Sequence, residues 1–371
     1  MENLTHSLVG VALSRAGLGR MTPYGTVSLV VAANLPDADI VVSGWGSLHY
    51  LHHHRGVTHS VLGVLALALL FSLLLKFLAR FRSGDKAFPF GPLLASVTLT
   101  LVSHPLLDLT NSYGLRPWLP FSGKWYYGDL VYIVDPYLWL ILGGAVFLTA
   151  QRTRVTRPVW IAVVIFMSFL VVWNAEARPD GPVVAAVFFS ALALILVLKQ
   201  RRTLWSRSLN LWALGGVVIY WGLLLMSRTV TLTGAVPEIA REHPQVQTEA
   251  LAALPRLANP LSWEIFWQDR KRVRIWRASL GGGRLEGNQA YRRRLDHHAV
   301  QAALDTCPGR VMKAFGRFTF YDVKPEPDRI LVLARDARFS RGQTSGFGVV
   351  PIPMSSDLSQ SLSTVPCPFR D

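Results

Sequence analysis

The amino-acid sequence predicts a mainly α-helical, polytopic membrane protein that carries a small α+β domain outside the membrane. Three observations predict it. Of the 371 residues, 51% are hydrophobic and 16% charged, and the mean hydropathy is +0.31, an apolar excess that a soluble domain has no core large enough to hold. The long uninterrupted apolar runs lie before Ser227. After it the chain becomes rich in Arg, Pro and short β-type segments.

Taken in order, His6–Ser14 and Tyr24–Leu35 are apolar but too short to span convincingly, and read as half-helices or tilted core helices. Val61–Leu78, with Lys76 near its end, and Phe88–Ser103 are expected spans, since a terminal Lys can snorkel to the interface. Pro136–Gln151, Pro158–Ala175, Gly181–Leu198 and Ser208–Ser227 are free of charge and approach the roughly 30 Å of a bilayer core at about 1.5 Å per residue. Ala235–Leu254 reads as an amphipathic or linker helix and Pro255–Pro260 as a break. Val273–Arg277, Arg317–Val323 and Arg329–Leu333 read as strands between Gly/Pro/Asp turns. The expected organisation is a membrane-embedded domain over 1–150, further spans over 151–227, and an extramembrane α+β domain over 228–371.

The net charge of +15 is placed largely in loops, as the positive-inside bias requires, and does not call for specific nucleic-acid binding. The basic loops at Arg80/Arg82, Arg152/Arg154/Arg157 and Lys199/Arg201/Arg202/Arg207 are expected to be cytoplasmic, with Arg15 and Arg20 in a cytoplasmic turn. By contrast, Glu176–Asp180 carries one Arg against two acids. Counting outward puts His6, Asp37 to His59, His104 to Asp135 and everything after Ser227 on the extracytoplasmic side. The basic clusters Arg270–Arg274 and Arg292–Arg294 read as a solvated face or a contact to anionic lipid. The N-terminus lacks a basic n-region and a small-residue cleavage site, so the first helix is expected to be retained. The two cysteines, Cys307 and Cys367, exclude a Cys-based zinc motif and permit one disulfide without implying it.

Chemistry concentrates in a few segments. Five of the ten histidines fall in His49–His59; neutral imidazole is the commonest metal ligand, but adjacent histidines cannot all point at one ion. In Ser103-His104-Pro105-Leu106-Leu107-Asp108 the i, i+4 pair His104 and Asp108 shares a helix face, so both can ligate one metal, or the carboxylate can orient the ring. Asp37 and Asp39 follow a short apolar helix, and an Asp-Pro pair at Asp135-Pro136 reads as a helix cap before it reads as a ligand. HExxH, GxSxG and P-loop motifs are absent.

Taken together, Thr5-His6-Ser7, Leu35-Pro36-Asp37-Ala38-Asp39, His54-Arg55-Gly56-Val57-Thr58-His59-Ser60 and Ser103-His104-Pro105-Leu106-Leu107-Asp108 resemble the motif series of the YdjM-type family of membrane-bound metal-dependent hydrolases. That family is distantly similar to the zinc-dependent phospholipase C and P1 nuclease group. The resemblance covers roughly residues 1–150. Phe315-Gly316-Arg317-Phe318 and Arg335-Asp336-Ala337-Arg338-Phe339 are similar to the tail domain of longer relatives.

The resemblance implies that His6, Asp37, His59, His104 and Asp108 occupy metal-binding positions, and it implies hydrolysis of a phosphoester, a phospholipid headgroup included. No downstream His-x-x-x-Glu accompanies them, so one or two ions are expected rather than three. Zinc fits the His/Asp set best, and manganese or iron accept similar ligands. Asp37 is expected as ligand or general base, His59 as ligand at the reacting centre, and Arg55 as a contact to substrate charge. The rival expectations are a non-catalytic regulator or scaffold with a structural metal, and a transporter. The second fits less well, because the acids cluster at the ends of spans.

Overall fold

A computed structural model describes residues 1–82, 88–150, 156–175, 180–200, 207–244, 251–280, 286–363 and 367–368. The predicted cytoplasmic residues Arg152, Arg154, Arg201 and Arg202, and residues 176–179 of the opposite loop, lie outside them. The chain divides into two compact units, the first comprising Met1–Ala38, Val57–Thr229 and Pro255–Ser262, the second Asp39–Gly56, Val230–Leu254 and Trp263–Asp371.

The protein is a multi-pass membrane protein. Among the described residues, six helical stretches are long and apolar enough to cross a bilayer: Thr26–Trp45, Val61–Phe81, Phe90–Leu109, Thr156–Ala175, Gly181–Gln200 and Ser208–Glu242. Their outward faces are apolar, as for Leu62, Leu65, Leu69, Leu73 and Phe77 of one helix and Ile161, Ile165, Phe169 and Trp173 of another. In Thr156–Ala175 only 11% of the apolar window is buried. A soluble protein does not expose apolar surface on this scale, whereas lipid accepts it.

In the first unit, α1 (Asn3–Ala16) and α2 (Thr26–Asn34) pack as a hairpin. A Cβ at Gly10 would stand 2.8 Å from the Leu29 carbonyl oxygen, so the close crossing needs glycine there. The chain continues from α2 as a 3₁₀ helix over Leu35–Trp45. Because Pro36 opens it and has no N–H, the α-helical ladder ends at this point. Beyond α3 (Ser47–His53), described with the second unit, come α4 (Val61–Arg82) and α5 (Phe90–Leu109). Ala32 of α2, Val64, Ala68 and Leu75 of α4, and Leu93, Val97 and Leu101 of α5 form one buried cluster.

The expected span Pro136–Gln151 takes a different form. It is a short apolar element, α6 (Pro136–Leu138), a π-helical turn (Trp139–Gly143) and α7 (Gly144–Thr149), and Leu138, Trp139, Leu140, Leu142, Ala145 and Val146 are all buried. Freedom from charge was its sequence signal, and that signal does not separate a core helix from a lipid-facing one. α8 (Thr156–Ala175) and α9 (Gly181–Gln200) follow. α10 (Arg207–Glu242) then runs for 36 residues through Pro237, so the part of Ala235–Leu254 read as a separate helix continues α10 up to Glu242.

At one end of this unit the basic residues cap helix ends. The Arg15 guanidinium donates to the Val146 carbonyl at 2.6 Å and to Thr149 Oγ1 at 2.8 Å. Lys199 Nζ donates to the carbonyls of Phe147, Leu148 and Ala150 at 2.8 to 3.1 Å.

The chain then forms a four-stranded sheet of order β1-β2-β3-β4, most of whose residues belong to the second unit, and that unit also contains a three-stranded sheet of order β5-β6-β7. The strands are β1 (Leu251–Arg256), β2 (Asn259–Gln268), β3 (Arg272–Ser279), β4 (Glu286–Arg292), β5 (Thr319–Glu326), β6 (Arg329–Asp336) and β7 (Val349–Ser355). The pairs β3/β4, β5/β6 and β6/β7 are antiparallel. Between β4 and β5 stand α11 (His298–Asp305) and α12 (Cys307–Phe315), and α13 (Ala337–Ser340) follows β6. Phe266, Val273, Ile275, Phe318 and Phe320 close the core. The His-rich helix α3 packs on α12, and a disulfide joins Cys307 to Cys367.

Candidate metal centre

Four side chains from three separate stretches of the first unit converge. Asp37 comes from the 3₁₀ continuation of α2, His59 from a short 3₁₀ turn (Val57–His59) ahead of α4, and His104 and Asp108 from successive turns of α5. One donor atom from each lies within 4.8 Å of all the others. His59 Nε2 and His104 Nε2 are 3.1 Å apart. Asp37 Oδ1 is 3.4 Å from both, and Asp108 Oδ2 is 3.3 Å from His59 Nε2 and 3.5 Å from His104 Nε2. The side chains of His59, His104 and Asp108 are fully buried, while Asp37 is 15% exposed.

The protonation logic follows from the outer partners. His104 Nδ1 is 2.7 Å from the Ala33 carbonyl oxygen, which only accepts, so the neutral ring carries its N–H there and presents a lone pair at Nε2. That lone pair faces two carboxylate oxygens and a second imidazole nitrogen. His59 is oriented by Thr58, whose Oγ1 is 3.0 Å from His59 Nδ1. Acceptors gathered this closely and buried away from water repel one another unless a cation lies among them. The donor pairs that include an imidazole, 3.1–3.5 Å apart, come close to the edges of a tetrahedron with metal–ligand distances of roughly 2.0–2.2 Å, which are about 3.3–3.6 Å. The residues therefore fit a divalent metal ion, and a buried His/Asp site of this kind is what the chain offers.

His6 stands at the edge of the group. Its ring stacks on His104 with centroids 3.7 Å apart, and its Nε2 is 3.5 Å from Asp108 Oδ1. That same oxygen contacts the α-amine of Met1. Trp139 Nε1 donates to Glu2 Oε1 at 2.7 Å and Thr5 Oγ1 at 2.9 Å, which fixes the start of α1 beneath the site. Arg55 belongs to the second unit, where its side chain is buried, its backbone has φ 55° and its N–H donates to Asp39 Oδ2 at 3.0 Å. Asp39 also holds His54 Nδ1 at 2.8 Å, and His49, His52 and His53 lie on α3 with them. Asp135 is an N-cap, accepting from the N–H groups of Tyr137 and Leu138 at 2.8 and 3.0 Å and from the Tyr220 hydroxyl at 3.0 Å. The Ala33 carbonyl and the Trp139 indole carry no motif, and only the three-dimensional arrangement reveals them; Thr58 stands within the His54–Ser60 motif, and its contact to His59 Nδ1 is what the structure adds.

Residues 1–178 match the family model described as YdjM inner membrane protein. A Bacillus subtilis (strain 168) protein named "Uncharacterized protein YfhP" is 27% identical over 150 residues, covering 38% of this chain and 43% of that one. The chain thus aligns with less than half the length of this relative. No solved structure matches.

Proposed function

We propose that Asp37, His59, His104 and Asp108, with His6 beside them, hold a divalent cation, zinc suiting this donor set best, and that the protein is a membrane-bound metal-dependent hydrolase of phosphoesters such as a phospholipid headgroup. The observation that carries this reading is the convergence of buried imidazole and carboxylate donors in which Asp37 alone is open to solvent. Held by these residues, a cation would supply a bound water with its pKa lowered to about 7 and would polarise a phosphoryl oxygen.

The chain's own residues divide the remaining work. The Ala33 carbonyl and Thr58 hydroxyl aim the two imidazoles. Asp108 supplies buried negative charge against the doubly positive ion. Asp37, on the accessible side, is placed to ligate or to accept the proton of the attacking water. We place the site and the second unit on the extracytoplasmic side. Arg15, in the last turn of α1 and roughly 14 Å from His6 at 1.5 Å per residue, donates to the end of α7, and the Cys307–Cys367 disulfide suits an oxidising compartment.

A second reading is a non-catalytic regulator or scaffold, favoured by the fact that four protein donors are enough to close a structural tetrahedral site. The experiment is metal analysis by plasma mass spectrometry of the detergent-purified protein beside His59→Ala and His104→Ala, followed by phosphodiester and phospholipid turnover. One or more equivalents lost in both variants, with turnover in the wild type, supports the hydrolase. Metal without turnover on any phosphoester leaves the scaffold. A folded, metal-free wild type sinks both.

A further inference from the structure

The second unit holds an open groove of about 1110 Å³ whose lining includes Arg270, Lys271, Arg272, Arg292, Arg293 and Arg294. Its construction is specific. Arg272 and Arg292 are direct partners across the β3/β4 ladder, and the Arg293 N–H donates to the Lys271 carbonyl at 2.8 Å, so the two basic triplets are held side by side. Like charges directly opposite on neighbouring strands destabilise a sheet. The Arg293 guanidinium is anchored from below, donating to the carbonyls of Thr319 at 3.3 Å and Asp269 at 3.1 Å. Arg294 adopts φ 47°, a conformation unusual for a bulky side chain.

Acids do not balance this concentration. Asp269 is committed to Arg274 and to the N–H groups of Lys271 and Arg272. Among the described residues of the lining, Asp296 is the one carboxylate. Among the described residues, Arg270, Lys271, Arg272, Arg292 and Arg294 have no carboxylate within 4.0 Å. Elsewhere the same unit pairs its arginines: Arg329 with Glu326, Arg335 with Asp322, Arg338 with Asp336 and Arg341 with Glu264. Repulsion tolerated at one place, in a unit that neutralises its charges at others, fits a site completed by an anion.

We propose that this groove binds phosphate groups, from an acidic phospholipid headgroup or from a free polyphosphate. Planar guanidinium forks match phosphate oxygens in pairs, and the spacing of two cross-strand arginines suits a diphosphate or a headgroup shared between the triplets. The inference is independent of the metal centre and of hydrolysis.

The test uses the full-length protein in neutral detergent and measures binding calorimetrically with inorganic pyrophosphate, short-chain phosphatidylglycerol and short-chain phosphatidylcholine. Wild type, Arg272→Gln/Arg292→Gln and the exposed control Arg329→Gln are compared, and His59→Ala removes any contribution from the metal centre. Pyrophosphate or the acidic lipid should still bind His59→Ala, weaken with added salt, and lose tenfold or more when Arg272→Gln/Arg292→Gln is added in that background but not when Arg329→Gln is. Binding of pyrophosphate alone identifies free phosphate as the source, and binding of the acidic lipid alone identifies the headgroup. The double variant should melt no lower than wild type at low salt, because the cross-strand repulsion is gone. Should it fail to fold, Arg294→Gln decides by the same loss. The proposal fails if neither anion binds, if the double variant binds as tightly as wild type, if the acidic and neutral lipids bind equally, or if a single-stranded oligonucleotide displaces both anions.

Discussion

His59 and His104 meet through their Nε2 atoms at 3.1 Å, and the far nitrogen of His104 is tied to the Ala33 carbonyl at 2.7 Å. The tie to Ala33 leaves the His104 Nε2 lone pair facing His59 Nε2, a geometry that a metal ion between them would satisfy. A metal bound only by the folded state should stabilise it by about 2.7 kcal/mol at 100 times its Kd. Chelation is therefore expected to lower the unfolding midpoint of the wild type and to leave His59→Ala and His104→Ala unmoved. Differential scanning fluorimetry in detergent with and without chelator checks it, and equal shifts in all three proteins would count against the site.

Asp37 is the exposed member of the group, so its removal should separate chemistry from binding. Asp37→Asn is expected to retain metal while phosphoester turnover falls by about 10²–10⁴-fold, the usual range for a positioned acid–base group. Unchanged turnover with metal retained would assign it no role in proton transfer.

Gly10 lets α1 and α2 approach closely, with the Leu29 carbonyl 2.8 Å from where a Cβ would stand. Gly10→Leu should cost about 1–3 kcal/mol through overpacking. It should also weaken metal binding, because α1 carries His6 and α2 leads to Asp37. Thermal melts and metal titration test the two effects together, and a melt shift with metal affinity intact would uncouple the crossing from the site.

In the second unit Asp336 and Arg338 form a fully buried pair. Burial alone would raise the Asp336 pKa, but the Arg338 charge and its hydrogen bonds, with the Arg317 N–H, hold it below the usual carboxylate value. The folded state then binds fewer protons than the unfolded one. The stabilisation is present above about pH 4 and is lost as pH falls through the folded-state pKa. Asp336→Asn leaves a buried guanidinium uncompensated and should cost about 3–5 kcal/mol. Urea unfolding followed by tryptophan fluorescence at pH 7 and at acid pH would show the variant's deficit shrinking as the wild type is protonated.

Much of this architecture was legible in the sequence because lipid imposes a simple rule: uninterrupted apolar length. Phe90–Leu109, Thr156–Ala175 and Gly181–Gln200 follow from it directly. Pro136–Thr149 did not, since a buried core helix and a spanning helix share the same composition, and only packing against α1 and α8 distinguishes them. The positions of His59, His104 and Asp108 were marked by residue type and by i, i+4 spacing. Their convergence with Asp37 depends on how α2, α4 and α5 pack, which no local spacing encodes. Arg55 was marked only by its place in the His54–Ser60 run, and the structure adds that its backbone N–H is held by Asp39.

Pro36 gives the Leu-Pro-Asp motif a meaning beyond its carboxylate. In the 3₁₀ continuation of α2 the donor to the Ala33 carbonyl would be the amide of residue 36, and proline has none. The oxygen that a helix would ordinarily consume is thereby left for an imidazole 71 positions along the chain. The hydrogen atom that proline lacks thus leaves an acceptor to a ring on another helix, and Pro36 belongs with the candidate metal centre as much as the residues that would touch an ion.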